Sequence, residues 1–268
     1  MRDRSRCLID MPNRLDISNR VAVVIGATSG IGRALALGLA EHGATVVPTG
    51  RRADRLEEVC GEIEAFGKET LRQTSDVNLR SSIDALRDAV IQQFGRVDIL
   101  VNAAGYTMKQ PSREIAEEQW ARLINTNLTG VLRTCQSFYE PLRSSGRGRI
   151  VNIASLGSFL AFHEVAAYCA SKSAVLSLTK NLGCEWAKDG ICVNAIVPGV
   201  FPTELNSKLI EGTPRGRELL TRTPMGRFGK AEELIGVAVL LSSDAASFIN
   251  GVIIVVDGGQ WLAVNRVM

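Results

Sequence analysis

Val21-Ala22-Val23-Val24-Ile25 runs without a break into Gly26-Ala27-Thr28-Ser29-Gly30-Ile31-Gly32 and on into Arg33-Ala34-Leu35-Ala36-Leu37. An apolar, largely β-branched run, a glycine-rich stretch and an Ala- and Leu-rich segment read in that order as strand, tight turn and helix. Glycines in such a turn let the backbone approach a phosphate, and the helix start offers it unpaired N–H groups and a positive dipole end. Tight strand-to-helix turns that bind nothing use the same residues. The strand before and the helix after favour the nucleotide reading.

Working outward, apolar runs recur at Val21–Ile25, Thr45–Val47, Val97–Val101, Ile150–Ile153, Cys192–Val197 and Val252–Val256, with a weaker candidate at Leu71–Val77. Continuous apolar runs of this length predict parallel strands buried on both faces. Amphipathic segments of helical period lie between them, at Ile31–Glu41, Arg55–Phe66, Ser81–Phe94, Glu117–Tyr139, Ala166–Ala187 and Ala231–Leu241. Alternation of this kind calls for right-handed βαβ crossovers. The expected fold is α/β: one doubly wound domain, a parallel sheet of about seven strands with helices on both faces, and a ligand crevice at the carboxyl ends of the strands.

A chain of 268 residues with 46% hydrophobic and 22% charged residues is large enough for one such domain and has no linker composition. Residues 1–18 read as an extension before the catalytic domain of residues 19–268, with Met11 a possible second start. The formal charge of +3, with Lys and Arg spread along the chain, argues against nucleic acid as the main partner. Arg2, Arg4 and Arg6 precede only Cys7-Leu8-Ile9, too short for a signal peptide, and no apolar run approaches membrane-spanning length. A cytoplasmic protein without a membrane partner is expected. The six cysteines form no C-x-x-C pair and share no metal-ligand spacing with His42 or His163, so reduced, mostly buried thiols and no metal are expected.

The place where an acidic residue would hold an adenosine ribose, at the end of the second strand, is taken by Gly50, followed by Arg51 and Arg52. Two guanidinium groups where a carboxylate would repel a 2′-phosphate favour NADP, with NAD still possible. Alternatively both arginines solvate the start of the next helix. Asp76 and Val77 could flank adenine, or Asp76 could cap the helix that follows. Asn102-Ala103-Ala104-Gly105 closes a strand with small residues that leave room for a cofactor, or forms a plain turn.

Tyr168 and Lys172 stand at i and i+4, so on a helix they share one face, and Ser155 lies upstream at the end of the Ile150–Ile153 strand. A phenol, an ammonium and a hydroxyl converging on one carbonyl can move a proton, and the ammonium is expected to lower the phenol's pKa.

Taken together, Gly26-x-x-x-Gly30-x-Gly32, Asn102-Ala-Ala-Gly105, Asn127, Ser155, Tyr168-x-x-x-Lys172 and Pro198-Gly199-x-x-x-Thr203 resemble the short-chain dehydrogenases/reductases, from about residue 18 to the C-terminus. Ile25 departs from the threonine common before the first glycine, which touches only a local turn bond. The resemblance implies a single Rossmann-like domain, a homo-oligomer with a tetramer favoured, and hydride transfer between nicotinamide and a secondary alcohol or ketone. It implies Tyr168 as general acid or base, Lys172 as its neighbour on the nicotinamide ribose, Ser155 as donor to the substrate oxygen and Asn127 as holder of a relay water. Cofactor contacts are implied at Gly26, Thr28, Ser29, Gly30, Ile31 and Gly32, at Arg51, Arg52, Asp76 and Val77, and at Asn102, Ala103, Ala104 and Gly105. They are also implied at Tyr168 and Lys172, and at Pro198, Gly199, Val200 and Thr203.

Substrate choice is expected in Tyr106–Pro111, Leu156–Val165 and Phe201 to about Phe228, whose rim includes Lys109, His163 and Glu204. The segments Pro198–Asn206, Arg222–Gly229 and Asp257–Val264 are similar to the gluconate 5-dehydrogenase-like branch. Alternatives are a 3-oxoacyl-carrier-protein reductase and a dinucleotide-binding sensor without turnover.

Overall fold

The computed structural model describes residues 13–203, 206–210 and 212–263. Strands β1 (Val21–Ile25), β2 (Thr45–Thr49), β3 (Ile99–Asn102), β4 (Arg149–Ile153), β5 (Cys192–Pro198) and β6 (Ile253–Val256) form one sheet in the order β2-β1-β3-β4-β5-β6. Every pairing is parallel, with Ile25 opposite Asn102 and Asn102 opposite Asn152. Chain order reverses between β1 and β3, and an open α/β sheet places its ligand crevice at such a reversal.

Strand parity divides the core. On one face Val23, Ile25, Leu100, Ile150 and Val193 pack against α3 (Arg80–Phe94), α5 (Gly130–Ser137) and α7 (Ala166–Trp186). On the other, Ala22, Val24, Ile99, Val101 and Val151 meet α1 (Gly30–Glu41), α2 (Ala53–Ala65) and α10 (Ile235–Ser242). Burial on both faces is why the strands read as unbroken apolar runs. Ile17 is buried with the second group, so the residues just before β1 join the core.

The expected strand at Leu71–Val77 does not form among the described residues, and the sheet has six strands where about seven were expected. In β2, Thr45 and Thr49 bond towards β1, so Val46 and Pro48 turn to the other side, where Pro48 has no N–H to give. Residues 70–75 still follow that edge: Thr70 Oγ1 donates to the Val46 carbonyl at 2.6 Å, Thr49 Oγ1 to the Gln73 carbonyl at 2.6 Å, and Ser75 N–H to the Gly50 carbonyl at 3.0 Å.

The expected helix at Glu117–Tyr139 is broken. α4 (Glu117–Ile124) passes through a π turn at Asn125–Thr129 into α5, and α6 (Tyr139–Ser144) follows. Asn125 and Thr126 both donate to Asn78 Oδ1 at 2.9 Å, and the Arg133 guanidinium reaches the Val77 carbonyl. These bonds hold the π turn against the loop after Ser75. Two short helices, α8 (Ser207–Ile210) and α9 (Pro214–Thr221), follow β5 and pack on each other.

Candidate active site

Ser155 follows β4 in extended backbone, and its Oγ accepts the Gly157 N–H at 3.1 Å, opening a short turn at Leu156–Ser158. α7 brings Tyr168 and Lys172 beneath that turn. The Lys172 ammonium is buried, donates to the Ile153 carbonyl at 2.8 Å and lies 5.9 Å from the Tyr168 ring centroid. Burial disfavours its charge and brings its pKa down to about 8. Burial also holds the Tyr168 phenol above its ordinary value, and the facing Ser155 hydroxyl opposes that rise. Desolvation is the largest influence on the phenol among the chain's own groups, and the ammonium is bonded to the carbonyl at the end of β4.

Asn127 lies in the π turn and is fully buried. Its Oδ1 accepts the Tyr106 N–H at 3.0 Å, and its Nδ2 donates to the Tyr106 carbonyl at 2.9 Å and to Ser171 Oγ at 3.2 Å. Ser171 Oγ in turn donates to the Tyr168 carbonyl at 2.7 Å. One amide thus ties the loop after β3 to the backbone of α7 at Tyr168. Between them Gly105 leaves little spare room, since a Cβ there would stand 3.2 Å from Asn127 Oδ1 and 3.4 Å from Lys172 Nζ. Asn102 behaves differently from the expectation: its Nδ2 donates to Asn152 Oδ1 at 2.9 Å and its Oδ1 accepts Thr134 Oγ1 at 2.7 Å. Its side chain serves a buried polar network, and only the following Ala103, Ala104 and Gly105 reach the crevice.

That crevice, about 410 Å³, runs along the carboxyl ends of β1, β3, β4 and β5. Gly26, at φ 84°, lies so near β3 that a Cβ would stand 2.6 Å from the Ala104 nitrogen. Thr28, Ser29, Gly30, Ile31 and Gly32 continue the floor. Ser29 stands at the N-cap of α1 without capping it, so the first N–H groups of α1 open to the crevice. Ser29 Oγ instead accepts Arg52 Nη2 at 2.7 Å, and Thr28 Oγ1 accepts the same nitrogen at 3.1 Å. Arg51 lies exposed beside it. Any side chain at position 50 would force Thr28 to shift, because a Cβ there would meet Thr28 Cγ2 at 2.8 Å. A cradle of open N–H groups beside two guanidinium groups fits a phosphorylated dinucleotide.

Asp76 and Val77 line the far end, where Asp76 Oδ1 accepts the backbone and side-chain N–H groups of Asn78 at 2.9 and 2.8 Å. At the near end Pro198, Gly199 and Thr203 complete the wall, and Thr203 Cγ2 would lie 3.2 Å from a Cβ on Gly30. Val200 lines instead an adjoining pocket of about 150 Å³. Ser155, Tyr168, Gly199 and Asn206 border both spaces. The pocket is otherwise walled by apolar groups such as Leu156, Phe162, Val165 and Leu219, with Lys109 and Arg215 its only charged lining groups among the described residues. His163 points outward at 88% side-chain exposure, and Glu204 lies outside the described residues.

Of the lining residues that carry polar contacts, Asn78 was not singled out by the sequence reading, and Asn206 and Arg215 entered it only as part of the Phe201 to about Phe228 segment. Asn78, which anchors the π turn, follows Asp76-Val77 directly and was there to be weighed. Asn206 Oδ1 accepts the Thr203 N–H at 2.9 Å while its Nδ2 donates to the Phe201 carbonyl, also at 2.9 Å, an Asx-type staple three residues beyond the threonine. Arg215 carries no local signal, since only the folding back of α9 brings it to the pocket.

A family model described as enoyl-(acyl carrier protein) reductase matches residues 26–260. Gluconate 5-dehydrogenase of Gluconobacter oxydans is 39% identical over 248 residues, 92% of this chain and 97% of that protein. D-threitol dehydrogenase of Mycolicibacterium smegmatis is 39% identical over 251 residues, 94% of this chain and 95% of its own. The crystal structure of a gluconate 5-dehydrogenase from Burkholderia cenocepacia in complex with NADP and tartrate is 37% identical with a TM-score of 0.90, covering 94% of this chain and 98% of that one. Identity at this level over nearly the whole length, joined to a shared fold, makes the chain a member of the short-chain dehydrogenase/reductase family of NAD(P)-dependent oxidoreductases that act on CH–OH groups.

Proposed function

We propose that the chain interconverts a secondary alcohol and a ketone on a sugar acid or polyol, gluconate being the best candidate, with NADP as the preferred partner and NAD possible. The observation that carries this reading is that Ser155 and Tyr168 border both the long crevice and the small pocket, so a substrate oxygen and a nicotinamide ring can meet at one wall. NADP, when bound, supplies the hydride acceptor and a positive ring.

The chain's residues then divide the remaining tasks. The Ser155 hydroxyl orients the substrate oxygen, and Tyr168 takes its proton in oxidation or returns one in reduction. Lys172 binds the ribose side of the nicotinamide and lends positive charge near the phenol, which the chain alone holds above its ordinary value. Asn127 fixes the loop at Tyr106 and the backbone of α7, which keeps Tyr168 and Lys172 aligned. Its part in a water relay belongs to the same proposal. The N–H groups at the start of α1 and the arginines at 51 and 52 hold the phosphates.

The reading includes a catalytic domain of residues 19–268, a cytoplasmic location and a homo-oligomer, with a tetramer favoured by family resemblance. No helix among the described residues is long and apolar enough to cross a membrane. Initial rates with hydroxy acids, polyols, ketones and an acyl-thioester mimic, each with NADP(H) and NAD(H), test the proposal. Gluconate or a related polyol acid with NADP⁺ should lead the panel. Preference for the thioester, or NADPH binding with no turnover of any compound, would overturn it.

A further inference from the structure

The relatives divide between names that act on sugar acids and names that act on neutral polyols, and the small pocket holds a feature that bears on that choice. Two cations, Lys109 and Arg215, line a pocket whose other walls are largely apolar. The two are not held alike. Lys109 Nζ is paired with Glu164 Oε2 at 3.1 Å, and that pairing, with a smaller contribution from the Arg215 charge, keeps the Glu164 carboxyl below its usual range, so Glu164 is charged near pH 7 and offsets one of the two cations. Among the described residues, the bond found for Arg215 is to a neutral group: Nη1 donates to the His163 carbonyl at 3.4 Å, a long bond. The set therefore carries one net positive charge, from Lys109 and Arg215 against Glu164.

The backbone around this set is unusual as well. Glu164 has φ 63°, the only described non-glycine residue in the left-handed region. Its carbonyl accepts the Gln110 N–H at 2.7 Å, which joins the loop carrying Lys109 to the loop before α7. A bulky acidic residue held in this conformation needs surroundings that over-determine it, and such residues cluster at ligand clamps. Glycine would satisfy the turn without strain.

Resting on the reading above, we infer that Arg215 is the specificity residue that selects a singly charged hydroxy acid over a neutral polyol, with Glu164 holding Lys109 so that one positive charge, not two, faces the substrate. Arg215 binds the carboxylate far from the reacting carbon, where its planar donor fork suits two carboxylate oxygens. Glu164 sets the number of negative charges that the pocket accepts. A neutral polyol offers the guanidinium no carboxylate to pair with, and a second negative charge on the substrate is repelled by nearby Glu164.

The test is the ratio of kcat/KM for D-gluconate to kcat/KM for a neutral polyol such as xylitol, measured with NADP⁺ in wild type, Arg215→Met, Arg215→Lys and Glu164→Gln. Arg215→Met should lower the ratio by about 30-fold, or about 2 kcal/mol at about 1.4 kcal/mol per decade, chiefly through the gluconate KM. Arg215→Lys should recover part of it. Glu164→Gln should move it the other way and admit a dianionic sugar diacid, a change that a merely structural role for these residues would not produce. A ratio unchanged by Arg215→Met, a fall shared equally by both substrates, or a wild type that favours the neutral polyol would overturn this inference while leaving the dehydrogenase reading intact. A wild type that turns over neither class overturns that reading and this inference with it.

Discussion

The crevice and the small pocket share a wall but are built from different material. The crevice follows the ends of paired strands and the Gly26–Gly32 turn, whose small residues bring its floor close to β3. The pocket is bounded by side chains from three separate segments around Thr107, Phe162 and Arg215. Main chain locked into a sheet cannot vary without cost to the fold, whereas loop side chains can be exchanged freely. The contrast explains how relatives named for gluconate and for threitol can keep one scaffold while differing in what they accept.

Three experiments bear on this division. Tyr168→Phe, at the shared wall, should reduce turnover by about 10³-fold, within the usual range for a positioned acid or base, while NADPH affinity measured by fluorescence titration changes little. Loss of binding in parallel with turnover would mean that the wall is not the place where binding and chemistry separate. Arg51→Ala, on the crevice side alone, should weaken NADPH by about tenfold and NADH much less, with the substrate KM unmoved. Equal losses for both dinucleotides would remove the 2′-phosphate assignment.

Lys172→Met gives the smallest effect, on stability. A buried ammonium with its pKa down at about 8 binds protons less readily in the folded than in the unfolded chain, where lysine titrates near 10.4. The resulting destabilisation is complete below pH 8 and fades as pH rises towards 10.4. Lys172→Met should therefore melt a few degrees higher than wild type at pH 7, by less at pH 10, and turn over poorly at both. A lower melting temperature at pH 7 would show that the bond to the Ile153 carbonyl outweighs the buried charge.

The legible part of the protein was local. The β1-turn-α1 unit, the buried parallel strands and the Tyr168–Lys172 spacing each rest on neighbours within a few residues, and all three stand in the structure. Leu71–Val77 misled because a plausible strand pattern says nothing of its partner, and the partner strand presents Pro48 at that edge. Nothing local to Asn102 or Asn127 says which partners its side chain meets. One lies opposite Asn152 in the sheet and is consumed there, and the other sits in a π turn that the helical period of Glu117–Tyr139 concealed.

By itself the chain determined that strands, turn and helices would alternate and that a phenol and an ammonium would share a helix face, because hydrophobic period and glycine placement act over a turn or two. Only the tertiary structure decided where the lysine's proton is held, which asparagine supports the site, and that Arg215 reaches the pocket that Lys109 lines. Those outcomes depend on burial and on partners that lie far apart along the chain, and desolvation has no signature until the fold closes around the group.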